Sequence, residues 1–160
     1  MAQTQDTQSP ITPAVQIISQ YIKDLSFEAP GLPALLLGMT TPPAITVDID
    51  VKVNKTDQEG VFTVELTVKA NATVGKDKKT LFICELVYGG LVAMNVPKEH
   101  LEPMLLVEIP HLLFPYARAI VSNITRDAGL PPLQINPIDF AALYRQRSEH
   151  NKQGKASQVI

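Results

Sequence analysis

The most regular alternation of apolar and polar residues runs from Ile45 to Asn54, ITVDIDVKVN. Ile45, Val47, Ile49, Val51 and Val53 fall on one side, and Thr46, Asp48, Asp50, Lys52 and Asn54 on the other. A period of two is that of a strand with one wet face. VFTVELTVKANATV repeats it, with Phe62, Val64, Leu66, Val68, Ala70, Ala72 and Val74 on the apolar side. KTDQEG, ending in Gly60, lies between the two and predicts an antiparallel hairpin.

A second turn, GKDKK, leads into TLFICELVYGGLVAM. Here Phe82, Cys84, Leu86 and Tyr88 share one face, while Leu81, Ile83 and Val87 make the other apolar too. A strand greasy on both sides belongs in the middle of its sheet or under a cover. Gly89 and Gly90 suggest a bulge or kink within it. Upstream, SQYIKDLSFEAP reads as a further strand, with Tyr21, Leu25 and Phe27 on one face and Ile22, Asp24, Ser26 and Glu28 on the other. The spacing of Val15, Ile18, Tyr21, Ile22 and Leu25 suits a helix as well.

From Pro97 the period becomes helical. Pro97 and Pro115 suit the first turns of helices, where a missing N–H removes no internal bond. On that reading Pro115 starts a helix with Ala117, Ile120, Val121 and Ile124 on one stripe, joined by Leu113, and Gly129 with Pro131 and Pro132 ends it. Asn136, Pro137 and Asp139 open a last helix that carries Phe140, Leu143 and Tyr144 on one face. The expected architecture is α+β, a four-stranded antiparallel sheet with carboxy-terminal helices packed on one face. Residues 1–13 read as a disordered amino-terminal segment, 14–145 as the folded domain and 146–160 as a flexible basic tail. The segment EAPGLPALLLGMTTPPA is too rich in proline and glycine to be regular, yet holds Leu32, Leu35, Leu36, Leu37 and Met39. Packed, it is a lid on the core; incompletely packed, it is an adaptable binding surface.

Composition narrows the function classes. A chain of 160 residues with 45% hydrophobic residues and a net charge of -2 has no basic face to displace phosphate counterions. Its uninterrupted apolar runs are shorter than the ~20 residues that cross a bilayer, and MAQTQDTQSP lacks the features of a signal peptide. A single cysteine fits a reducing cytoplasm, where the Asn-x-Thr triplets at Asn54, Asn71 and Asn123 carry no glycan. His100, His111 and His150 show no metal-ligand spacing with each other or with Cys84. VGKDKKT lacks the leading glycine of a phosphate loop. No catalytic residue, metal site or cofactor is expected.

YIKDLSFEAP (21–30), FICELVYGG (82–90) and LLFPYARAIVSNITRDAGLPPLQINPIDFAALY (112–144) together resemble the SecB family of bacterial protein-export chaperones. The likeness spans about residues 15–145. It implies a homotetramer, a dimer of dimers with helices sandwiched between two sheets, in which Leu113, Ala117, Ile120, Val121 and Ile124 form the interface. It implies a cytoplasmic chaperone that works without ATP, holds unfolded precursor proteins in an extended apolar groove and delivers them to the SecA motor ATPase. Groove residues would come from Phe27, Leu35, Leu36, Leu37, Met39, Met94, Phe140 and Tyr144, part of that set serving the core. The family's SecA-docking positions fall on Asp24, Glu28, Ile83 and Glu85. The tail departs from the family pattern in being basic, since Arg145, Arg147, Lys152 and Lys155 outnumber Glu149. The alternative is an adaptor of the same fold, for instance a toxin–antitoxin chaperone, that does not dock SecA.

Overall fold

A computed structural model describes residues 14–156, with side chains from 14 to 151. The expectation for residues 1–13 lies outside the described residues. Four strands form one antiparallel sheet: β1 (Val15–Glu28), β2 (Ala44–Lys55), β3 (Val61–Val74) and β4 (Lys79–Met94), in the order β1-β4-β3-β2. The hairpin pairs Ile45 with Ala72 and Val53 with Val64, as the alternation requires. β4 lies between β1 and β3, the central place that its apolar character predicts. Val64, Leu66, Val68, Cys84, Leu86 and Val92 are all sealed from solvent beneath the helices.

The glycines of β4 do not form a bulge. Gly89 and Gly90 keep register with Glu65 and Val64 on β3 and with Tyr21 and Gln20 on β1. They are small because neighbours approach closely. A methyl on Gly89 would stand 2.5 Å from the Tyr21 ring, and one on Gly90 would stand 3.1 Å from Leu113. The irregularities sit elsewhere. Register shifts fall between Ile17 and Ser19 and between Ile22 and Asp24 on β1, and beside Leu81 on β4. Each inserted residue reverses the alternation beyond it. Tyr21 therefore lies on the helix-free face opposite Gly89, while Leu25 and Phe27 turn to the helix face opposite Leu86 and Cys84. This corrects the expectation that the three share a side.

The helical half also differs from expectation. Lys98–Asp127 is one continuous helical run of 30 residues, made of α2 (Lys98–Pro103), a π turn (Met104–Glu108) and α3 (Ile109–Asp127). Pro115 lies inside α3 instead of starting it. The π turn ends where Ile109 N–H reaches back to the Met104 carbonyl, immediately before Pro110, whose nitrogen has no hydrogen to give. Joined through its prolines, this run is long and apolar enough to cross a membrane by length and composition alone. Its Leu113, Ala117 and Val121 stripe, however, is fully buried in the domain, as a core helix requires.

α3 ends at Gly129, which has a positive φ of 80°. The extended stretch after it is stitched back through buried Thr125. The Thr125 hydroxyl lies 3.0 Å from the Val121 carbonyl and accepts the Leu133 N–H at 2.9 Å. α4 (Phe140–Ala156) starts later than expected, with Asp139 as its cap accepting the Ala142 N–H at 2.9 Å. It does not fray beyond Arg145: the expected tail is helical to Ala156. Arg147 anchors it to the outer edge of β2, donating to the Val51 carbonyl at 2.9 Å and pairing with Asp50. The proline-rich segment, expected to be irregular, contains one short helix, α1 (Ala34–Gly38).

Candidate functional site

The sheet has a helix face and an open face, and residues paired across an antiparallel ladder point to the same side. Glu28 pairs with Ile83, Ser26 with Glu85, and Asp24 with Val87. Asp24, Glu28, Ile83 and Glu85 thus lie side by side on the open face of β1 and β4. Ile83 is 37% exposed in spite of its apolar side chain. Lys69, across from Glu85 on β3, contacts it at 3.5 Å. Both partners are largely solvated, so this pair contributes little to stability.

A second feature is apolar. A cavity of about 310 Å³ opens between the segment after α1 and the stretch after α3. Met39, Pro43, Ile45, Phe82, Leu130 and Leu133 line it. The bulge beside Leu81 lets Leu81 and Phe82, neighbours in sequence, line the same cavity. A shallower hollow of about 240 Å³, lined by Leu35, Gly38 and Thr40, shares Met39 with it. Leu36 and Leu37 stand on α1 nearby, and Leu37 is 92% exposed.

The expected groove set therefore divides. Leu35 and Met39 line the two cavities, and Leu36 and Leu37 are exposed. Phe27 is half-buried, stacked on Phe82 with ring centroids 5.5 Å apart. Met94 and Phe140 are core residues, Phe140 packing edge-on against Phe114. Burial beneath their own chain removes both from a client surface. Tyr144 lies in a separate hollow with Met104 and Val107. The stretch Leu130–Gln134 was missing from the expected set. Its signal was PPLQINP, an apolar run kept irregular by prolines, as in the segment before β2.

The expected interface stripe is also corrected. Leu113, Ala117 and Val121 are fully buried on the chain's own side, and only Ile120 and Ile124 are partly open. α3 carries a second stripe, in which Leu112 is 50% and Tyr116 53% exposed, with Pro115 and Ala119 between and beyond them. Tyr116 stacks on Tyr88 at 6.2 Å, opposite exposed Ile22 on β1.

Cys84 is buried in the core, and burial, with a smaller contribution from Glu85, pushes its thiol above the usual range. It is expected to resist iodoacetamide in the folded protein at pH 8 and to react fully in denaturant. Equal rates by mass spectrometry would contradict the packing of β4. Among the described residues no group of three or more His, Cys, Asp or Glu side chains could hold a metal.

Residues 7–151 match the family described as preprotein translocase subunit SecB. The chain is 47% identical to the protein-export protein SecB of a Bradyrhizobium species, over 92% of this chain and 90% of that one. It is 46% identical to the protein of that name from Paramagnetospirillum magneticum, over 94% and 99%. Among solved structures it is similar in fold to a SecB-like chaperone of Mycobacterium tuberculosis in complex with a ChAD peptide from an antitoxin. There the TM-score is 0.64 at 15% identity, covering 78% of this chain and 91% of that one.

Proposed function

The chain belongs to the SecB family of protein-export chaperones, and from that premise we propose that it captures unfolded precursor proteins in the cytoplasm, without ATP, and hands them to SecA. The observation that carries this reading is the apolar cavity lined by Met39, Ile45, Phe82 and Leu133, which we read as part of a client channel, with the exposed Leu36 and Leu37 on nearby α1. An unfolded chain displays side chains each worth roughly 1.5–3 kcal/mol when buried, whereas a folded protein hides them. The outer edge of β2 runs into the same channel at Ile45. Away from the Val51 carbonyl, which Arg147 occupies, its edge backbone groups suit an extended segment of any sequence, which gives affinity without strong preference. Leucine and methionine side chains adapt to many shapes.

Four copies complete the site on this reading. The exposed stripe of Leu112 and Tyr116, and the β1 edge with Ile18 and Ile22, are apolar surfaces suited to neighbouring subunits in a dimer of dimers. Asp24, Glu28, Ile83 and Glu85 remain on the open face of each sheet as the SecA-docking patch, with an apolar centre and an acidic surround.

The test separates the two activities. Slowed refolding of a denatured precursor at stoichiometric chaperone, without nucleotide, is expected; unaltered refolding would overturn the client-binding reading. Glu85→Lys replaces an acidic contact by repulsion and places two ammonium groups at the Lys69 position. Affinity for SecA is expected to fall about tenfold, the scale of a lost charge pair plus a new repulsion, with precursor capture unchanged. Undiminished SecA affinity in calorimetry would place the docking surface elsewhere, and no binding of SecA by the unmodified protein would favour the adaptor that does not dock it.

A further inference from the structure

The open face holds one charge that a solubilising surface does not need. Glu65, in the middle of β3, is only 7% exposed, although its strand neighbours Val64 and Leu66 point to the core. It pairs in the ladder with Gly89 on β4, and Tyr21 of β1 lies over that glycine. Lys52 stands directly across on β2. The ion pair the structure gives Glu65 is instead with Lys23, two strands away, whose ammonium donates to Oε1. The carboxylate's hydrogen bond is the largest influence holding the Lys23 ammonium above its usual range.

Lys23 is the residue inserted at the β1 bulge. Ile22 faces Tyr88 on the helix side, and the next paired residue, Asp24, faces Val87 on the open side. In unbroken alternation Lys23 would take the open side and Asp24 the helix side, where Ser26 and Glu28 would follow it. The bulge puts Lys23 and Asp24 on one side together. Lys23 reaches inward to Glu65, and Asp24 begins the acidic row.

We propose that the Lys23–Glu65 pair is a positioning device that clamps this bulge, and so sets the register that presents Asp24, Ser26 and Glu28 on the open face. The role of that row in SecA docking rests on the reading above; the register itself does not. Each half of β1 has its own anchors, Gln20 to the Tyr88 hydroxyl before the bulge and Phe27 on Phe82 after it. Their preferences differ by one residue, and the bulge reconciles them. A buried carboxylate whose partner is the bulged residue favours that arrangement over a slipped one, because slippage strands the charge.

Three variants test this in the full chain: Lys23→Glu, Glu65→Lys, and both together, the last leaving net charge unchanged. Amide hydrogen exchange over residues 22–28 and the cross-strand nuclear Overhauser contact between Asp24 and Val87 report the register. Each single variant is expected to speed exchange there by about tenfold or more, the scale of a charge-assisted hydrogen bond, and to weaken SecA binding. The double variant is expected to recover both. If a single variant misfolds, Glu65→Gln supplies the milder step, with a smaller rise in exchange confined to β1. Native exchange in the single variants, or no recovery in the double, overturns the inference. Should exchange respond as described while the unmodified protein binds no SecA, the docking reading fails and the register device stands.

Discussion

Leu112→Asp combined with Tyr116→Asp is expected to leave a folded protein whose mass in light scattering drops from the proposed four chains to two or one. Both side chains are about half exposed in the single chain and sit on α3 outside its buried stripe of Leu113, Ala117 and Val121. Their removal therefore takes little from the fold. In an assembly where α3 meets its copies, each new carboxylate must give up water, at several kcal/mol per ion without a partner. Symmetry repeats that cost in every subunit. Circular dichroism should remain that of the native protein. Tyr116 also stacks on Tyr88, so Leu112→Asp alone is the cleaner control for intrachain damage. An unchanged mass would place the subunit contact elsewhere, with the β1 edge at Ile18 and Ile22 as the next candidate.

The contrast between the two stripes of α3 shows where sequence reading stops. A period of 3.6 identifies apolar faces but cannot say which neighbour covers each. Leu113, Ala117 and Val121 form the most regular stripe, and regularity marks the chain's own core, since that contact is made by every folded copy. The Leu112 and Tyr116 stripe is interrupted by Pro115 and carries a hydroxyl, so it scores as surface. Likewise, β2 and β3 were legible because their alternation is unbroken from Ile45 to Val53 and from Phe62 to Ala72. β1 was not, because parity does not survive an inserted residue, and Ile18 and Lys23 are both inserted. The acidic row was still placed correctly relative to Ile83 and Glu85, because Asp24, Ser26 and Glu28 all follow the second bulge. The end of α4 was missed for another reason. Its sequence beyond Arg145 is polar and has no stripe to detect, while the contact that anchors it joins Arg147 to residues almost a hundred positions earlier.

Met39→Asp combined with Ile45→Asp should abolish retention of unfolded precursors while leaving SecA binding to the empty chaperone intact. Both residues line the apolar channel, and neither is fully buried in the core. A client leucine or phenylalanine seated between them gains roughly 1.5–3 kcal/mol from burial. Against two carboxylates it must desolvate charge instead, which reverses the sign of the contact. If a few such contacts hold the client, losing two weakens capture by about 100-fold or more, at 1.4 kcal/mol per tenfold. The acidic row lies on the far face of the sheet from Phe82 and its channel, so docking to SecA should be unaffected. The refolding assay without nucleotide gives the first readout and calorimetry with SecA the second. Leu37→Asp is the informative companion. At 92% exposure Leu37 contributes nothing to the fold, so any loss of capture there must come from contact with the client. Full capture by the Met39 and Ile45 double variant would mean that precursors bind along some other apolar surface, and the channel between the two proline-rich segments would then be no more than an imperfectly filled edge of the core.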